Sequence, residues 1–360
     1  MSSDTLQIIA GYAQIDQDDS PRLNHKITQY QTRLKLIEQA GIEPIELVIE
    51  PLATPWQSQL PDNNFKSGCA PIMALARAKA LIEQGHHAVV ISGDDPLKTG
   101  YQRQERHELM TIYANDVSIA ELYDQLAKKF ISLHTSTPEQ FVTLTHALFD
   151  NHVASHQLAR QQHRAHFPLP SEKWFNQVTQ LFRGVDCANP LVDFSGRLLL
   201  CSNQLTKRLG LNTGVIDVKG VGLGLLDIDE PSQLDSIVQY QHLALAYQDA
   251  CEQANIDVNQ LLQQKKMLLE LYTCYPIVPM AFLISCKLVP SLAQIPEFLT
   301  DHLVTITGGM NLARAPWNNP ALNGLIEMYH QLNDNPTQHG LVHGNGGIGY
   351  RQGVAILANT

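Results

Sequence analysis

Charge is scarce in this chain. Asp, Glu, Lys and Arg make up 17% of its 360 residues, against ~25% in an ordinary soluble protein. Much of the surface is therefore expected to be covered by another layer or another subunit. Basic residues are the minority, 25 against 35 acidic, for a net charge of -10. That excludes nucleic acid as a bulk partner, because a phosphate backbone needs a basic face. No Cys-x-x-Cys pair occurs among Cys69, Cys187, Cys201, Cys251, Cys274 and Cys286, so neither a zinc ribbon nor a thioredoxin-type redox motif is expected. A membrane span needs about 20 uninterrupted apolar residues. The longest apolar stretch, 267–288, is broken by Glu270, Pro276 and Pro279. The opening MSSDTLQIIAGYAQ has neither a charged n-region nor a long apolar core, and the expectation is a cytoplasmic protein with reduced thiols and no membrane partner.

What is present is length and repetition. At roughly 100–200 residues per domain the chain is long enough for two or three domains, or for one duplicated unit with an insertion. EQAGIEP at 38–44 recurs as EQANIDV at 252–258, and HAVVISG at 87–93 recurs as HLVTITG at 302–308, at offsets of 214 and 215. SGRLLLCSN at 195 matches QGVAILAN at 352 at an offset of 157. Nearly equal offsets in the same order point to a duplication, and the shorter third offset assigns about 58 extra residues to the first half.

Both halves read alike. Residues 6–13 and 214–222 have the pattern of opening strands, and 26–41 and 231–255 have helical spacing of Leu, Ile, Ala and Tyr. A buried helix is expected over 70–85, stopped by Gly85, and another over 278–288. Alanines at 74, 76, 78 and 80 put small residues on every face of the first, which suits a sandwiched layer. VVIS and LVTIT read as strands buried on both sides. Alternating strands and helices define a layered α/β class. The extra segment of the first half holds 7 of the 15 histidines and, over 101–185, 8 basic and 8 acidic residues. It reads as a neutral, mostly helical excursion over one face.

Several positions have the makings of a site. Cys69 stands immediately before the Ala-rich helix, where free N–H groups and the helix dipole favour a thiolate nucleophile; a small buried residue at a helix start is the simpler explanation from this position alone. In GLVHGNGGIGYRQG (340–353), Gly346 and Gly347 allow N–H groups to approach a substrate oxygen, or else form a tight turn between strands. It is not a Walker loop, since no Gly-Lys-Ser/Thr follows. His343 beside it is a candidate general base or a hydrogen-bonded strand residue. Asn318 and Asn319 either orient a carbonyl or cap the next helix. Cys274, in ELYTCYPIVPM, occupies the position equivalent to Cys69 if 278–288 repeats the first buried helix. GVGLG (220–224) reads as a turn. His152, His156, His163 and His166 have spacings compatible with a metal but no Cys or carboxylate partner in register, so they read as solvent-facing and no metal is expected.

At this point the residues resemble the thiolase superfamily. SGCAPIMALARAKALIEQGHHAVVISGDD is similar to its nucleophile helix and following strand, NPLVDFSGRLLLCSN to the strand after its loop domain, and TGGMNLARAPWNN with HGNGGIGYRQGVAIL to its C-terminal active-site loops. ELYTCYP and PWNN look closest to a divergent bacterial branch labelled acetyl-CoA acetyltransferase. The resemblance implies a thiolase fold of two αβαβα layered halves, 1–100 with 190–210 and 211–360, around an inserted loop domain, 101–189. It implies a homodimer or a dimer of such dimers, no covalently bound cofactor, and a coenzyme A thioester as substrate. The family's motif positions fall here on unusual residues. Its nucleophilic Cys aligns with Gly68, or with Cys69 after a one-residue shift. The His of its Gly-His-Pro motif aligns with Ala315, its Asn-Glu-Ala-Phe motif with Tyr272 to Tyr275, and the Cys of its Cys-x-Gly loop with His343. Two expectations follow. One is an acyltransferase in which Cys69 carries the acyl group, His343 is the base, and Asn318, Gly346, Gly347 and Cys274 position the substrate. The other is a degraded thiolase that binds acyl-CoA or a partner subunit without turnover.

Overall fold

A computed structural model describes residues 4–113, 117–336 and 338–359. The strands are β1 (Leu6–Ile15), β2 (Ile45–Ile49), β3 (Asn64–Phe65), β4 (Ala88–Pro96), β5 (Asp193–Ser202), β6 (Ile216–Leu225), β7 (Met267–Glu270), β8 (His339–Gly346) and β9 (Arg351–Asn359). The helices are α1 (Pro21–Gln39), α2 (Ala70–Glu83), α3 (Arg103–Met110), α4 (Ile119–Leu133), α5 (Pro138–Gln161), α6 (Asn203–Arg208), α7 (Leu234–Ile237), α8 (Gln241–Ala254), α9 (Val258–Gln263), α10 (Ile277–Ser285), α11 (Ile295–Asp301) and α12 (Pro320–Asp334).

The strands run in the order β3-β2-β4-β5-β1-β6-β9-β8-β7. Read outward from the β1–β6 junction the two sides repeat each other, β1-β5-β4-β2 against β6-β9-β8-β7. The junction itself is short, two residue pairs, Gln7 with Asp217 and Ile8 with Ile216. Where β1 and β6 part, the Ile9 carbonyl accepts from Tyr329 Oη at 2.8 Å and from Arg33, and Arg33 also donates to the Thr213 carbonyl at 2.8 Å. A buried carbonyl without a strand partner has to be satisfied this way.

Helices α2 and α12 share one core with strands of both sides: Ile72, Leu75 and Ala78 with Leu322, Leu325 and Ile326, and with Ile91, Leu198, Val342 and Ala355. Helix α1 covers the outer face of the first side through Tyr30 and Ile37, and α8 and α10 cover that of the second through Ala246, Ala250 and Phe282. This is the layered, duplicated α/β architecture.

The duplication is real, but one of its pairings is not. HLVTITG forms no strand. Most of its backbone groups are taken by side chains: Val304 N–H donates to Asn151, the Thr305 carbonyl accepts from Ser155, and Ile306 and Thr307 N–H donate to the Glu270 carboxylate, while the Val304 carbonyl accepts from Leu271 N–H just past β7. The partner of β4 is β8. The third offset is thus the net of two insertions, 97–192 in the first half and 271–319 in the second. The central helix equivalent to α2 is α12 and not α10, and the residue equivalent to Cys69 is Asn319, which stands at the N-cap of α12 without a capping bond. The expected helix over 231–255 breaks at Tyr240, φ 48°, into α7 and α8.

The GVGLG run is also not a turn. It lies within β6, where a Cβ on Gly220, Gly222 or Gly224 would sit 1.9–2.0 Å from the Ala250, Ala246 and His242 carbonyls. Alternate residues of a strand share one face, so glycine at every second position lets α8 lie directly on the strand.

Candidate active site

A cavity of about 350 Å³ opens where the connections after β2, β4, β7 and β8 converge, at the carboxyl ends of these strands. Open α/β sheets bind ligands at such ends. Gly68 and Trp56 come from the β2–α2 connection, Tyr272, Cys274 and Tyr275 from the segment after β7, and Ala315, Trp317 and Asn318 from the loop before α12. Asn345 and Gly347 come from the β8–β9 hairpin, while His107, Met110, Ile112, Ile119 and Tyr123 come from the long insertion. Among the described residues no Lys, Arg, Asp or Glu lines it.

Gly68 and not Cys69 faces this space. The Cys69 thiol is 1% exposed and packs against Gly353 and Ile72 on the inner face of the second sheet half. The helix start would favour a thiolate, but burial outweighs it and pushes the thiol up to about 12. His343 lies on the other face of that half. It pairs with Val354, one step along from the Gly344–Gly353 pair that Cys69 abuts, and consecutive strand residues alternate faces. Its ring packs 4.8 Å from Phe282 of α10. Cys69 and His343 are therefore not brought together.

His343 belongs to a buried polar chain. Tyr272 N–H donates to Nδ1 at 3.4 Å, which leaves the proton on Nε2 to donate to Gln352 Oε1 at 2.8 Å. Gln352 Nε2 donates to Asn345 Oδ1 at 2.7 Å, Asn345 Nδ2 to Tyr123 Oη at 2.9 Å, and Tyr123 Oη to the Gly347 carbonyl at 2.8 Å. Burial holds the imidazole down at about 4, with Gln352 opposing the shift, so the ring is neutral at pH 7. Every link of the chain has a donor and an acceptor, which makes it a rigid floor for the cavity.

Cys274 does line the cavity, 4.0 Å from Asn345 Nδ2 and beside Tyr123. Burial pushes it up to about 12, with the neighbouring Tyr123 hydroxyl and backbone N–H groups opposing the shift. The Asn318 amide is occupied: Oδ1 accepts from Ser67 N–H at 3.0 Å and Nδ2 donates to the Glu50 carbonyl at 2.8 Å. It staples the α2 entry to the end of β2. Gly346 ends β8 against Ser67, and Gly347, φ 58°, opens the hairpin turn with its carbonyl held by Tyr123.

The remaining feature is Tyr272. A Cβ built on Gly68 would meet the Tyr272 phenolic oxygen at 2.0 Å and the Asn345 carbonyl at 2.3 Å. The phenol thus fills the space that a side chain at the start of α2 would use. Sequence reasoning noted Tyr272 as a departure from the family pattern without giving it a role, and it missed Tyr123 and Gln352. Tyr123 had no local signal, because it arrives from an insertion helix. Asn345 was legible only as the residue two past His343, on the same strand face.

His152 and His156 are buried, not solvent-facing, in the core of α5, and burial lowers His152 to about 4. Among the described residues no group of three His, Cys, Asp or Glu side chains converges as a metal site, and no helix is long and apolar enough to cross a membrane.

The layered halves, the insertion over the strand ends and the cavity above the start of α2 define a thiolase fold. No protein-family model and no curated protein sequence matches the chain. Among solved structures it is similar to the monomeric SCP2-thiolase-like protein type 1 of Mycobacterium smegmatis, with TM-score 0.70 and 15% identity over 98% of this chain and 77% of that one. It is also similar to human mitochondrial 3-ketoacyl-CoA thiolase, with TM-score 0.68 and 11% identity over 100% of both chains. A third is the Acat5 thiolase of Ascaris suum in complex with coenzyme A, with TM-score 0.62 and 11% identity over 99% of this chain and 100% of that one. At these identities the likeness is one of fold.

Proposed function

We propose that the protein binds the acyl part of a coenzyme A thioester in this cavity and does not carry the acyl group on Cys69. The observation that supports this most directly is the exchange at the start of α2: a glycine faces the cavity, a phenol fills the space above it, and the neighbouring thiol is packed into the sheet. Ala315 lines the cavity where the resemblance implies a histidine, so no base stands there either. The coenzyme A complex of the Ascaris thiolase supports the choice of ligand. The resemblance further implies that two copies pair, and light scattering at twice the mass of one chain is the expected result.

The test is calorimetry with an acyl-CoA together with intact mass after incubation with acetyl-CoA. Binding without a mass gain is expected, and Cys69→Ala should bind within about twofold of the parent. An acetyl adduct lost only in Cys69→Ala overturns the reading. One observation favours a second reading, acyl transfer through Cys274: it is a thiol in the cavity with Tyr123 and Asn345 turned towards it. That reading requires an adduct lost only in Cys274→Ala.

A further inference from the structure

The polar groups around the cavity floor are engaged with one another, with one exception. Asn345, Gln352, His343, Asn318 and Tyr123 all have partners. The Tyr272 side chain, 6% exposed, makes no hydrogen bond through its phenolic oxygen to any described residue, although its backbone N–H is used by His343. Buried hydroxyls are nearly always satisfied, and a donor left unpaired against a cavity is a donor available to whatever occupies it. Its place is defined by Gly68: the oxygen stands 2.0 Å from where a Cβ of that residue would be, at the positive end of the 14-residue helix α2.

We infer that the Tyr272 phenol is the hydrogen-bond donor to the carbonyl oxygen of the bound ligand, and that the cavity selects a carbonyl compound with an uncharged, apolar body. This rests on the acyl-CoA reading above and specifies what the cavity recognises in the thioester. Burial pushes the phenol well above its ordinary value of 10, so it is a donor at all physiological pH values. The rest of the lining fits the body of such a ligand. Met110, Ile112, Ile119 and Met310 are apolar, Tyr275 is stacked on Tyr123 with centroids 4.2 Å apart, and no Lys, Arg, Asp or Glu among the described residues lines it to hold a charged group. Taking roughly 30 Å³ for each water-sized atom, the cavity of about 350 Å³ holds about a dozen heavy atoms, enough for a medium-length acyl chain and too few for the nucleotide of coenzyme A, which must lie outside. Tyr272 is a binding residue in this assignment, and no bond is made or broken.

The experiment compares octanoyl-CoA with S-octyl-CoA, a thioether in which a methylene replaces the carbonyl, by calorimetry on the full chain. The parent should bind the thioester about five- to tenfold more tightly, the range a neutral hydrogen bond contributes. Tyr272→Phe should abolish that preference while leaving thioether binding within about twofold, with circular dichroism showing that it is folded. Tyr272→Leu must lose the preference in the same way, which keeps the test alive if the Phe variant fails to fold. Equal binding of both ligands by the parent, or an intact preference in either variant, overturns the assignment and leaves the acyl-CoA reading standing. Failure of the parent to bind either ligand overturns both.

Discussion

Replacing Gly68 by Ala tests whether Tyr272 really closes the start of α2. The new methyl would meet two obstacles of different kinds: the Tyr272 phenol, with Oη at 2.0 Å and Cζ at 2.5 Å, and the backbone carbonyl of Asn345 at 2.3 Å. Real Cβ contacts do not come so close, so something must move. The phenol can tilt into the cavity, but the carbonyl belongs to strand β8 and shifts only with its ladder. Overpacking of this kind costs about 1–3 kcal/mol, and a backbone obstacle places the variant towards the upper end. Urea unfolding followed by circular dichroism should show the midpoint falling accordingly. In a Tyr272→Leu background, which removes Cζ and Oη, the penalty for Gly68→Ala should shrink by about 1 kcal/mol without vanishing, a coupling within the range found for touching residues. If Gly68→Ala costs the same in both backgrounds, the phenol does not occupy that space. If Gly68→Ala costs nothing in either, the account of the α2 entry is wrong.

Two predictions concern titration. Glu327 is buried, which alone would raise it, but the Lys26 ammonium at 3.0 Å and the Arg164 guanidinium hold it at about 2, below its ordinary 4.5, while burial keeps neighbouring His330 neutral down to about 3. Its stabilisation is therefore complete above about pH 4.5 and is lost as the pH falls towards 2, about 3 kcal/mol in all at 1.36 kcal/mol per pKa unit. Glu327→Gln should flatten stability over that window, and an acid-unfolding midpoint identical to the parent's would count against the ion-pair cluster. His343, held at about 4 instead of 6.5, is a base depressed by burial, so folding is favoured above pH 6.5 and weakened as the pH falls from there towards 4. Its ring resonance, assigned by its disappearance in His343→Gln, should not move between pH 8 and 5.5; a titration centred near 6.5 would break the neutral hydrogen-bonded chain to Gln352 and Asn345.

Much of the frame was legible in the chain. The alanines of 70–85, with residues of helical spacing on several faces, do form a helix sandwiched between sheet halves. The EQAGIEP and EQANIDV match marks the ends of α1 and α8, and SGRLLLCSN and QGVAILAN are the equivalent strands β5 and β9 of the two sides. The HAVVISG and HLVTITG match misled because β-branched residues read as a strand wherever they occur. Whether they form one depends on a neighbouring strand, and at 302–308 the side chains of Asn151, Ser155 and Glu270 take the backbone groups instead. GVGLG misled for a related reason. Its glycines are there for the approach of α8, a contact that no local pattern records.

Hydrophobic periodicity and the alanines of 70–85 thus marked the class by themselves, because they follow from interactions a few residues apart, and the repeated segments marked the doubling. Which side chains point into the cavity was decided only by tertiary structure. Gly68 and Cys69 are neighbours in sequence, yet one faces the ligand space and the other the sheet, since the backbone at a helix start aims successive side chains in different directions. His343 is three residues from the Gly346 turn and still lies behind the wall, because strand alternation turns it to α10. Tyr272 arrives from 204 positions away to take the place a side chain on Gly68 would have had, and it leaves a single free hydroxyl where the family resemblance had led one to expect a thiol.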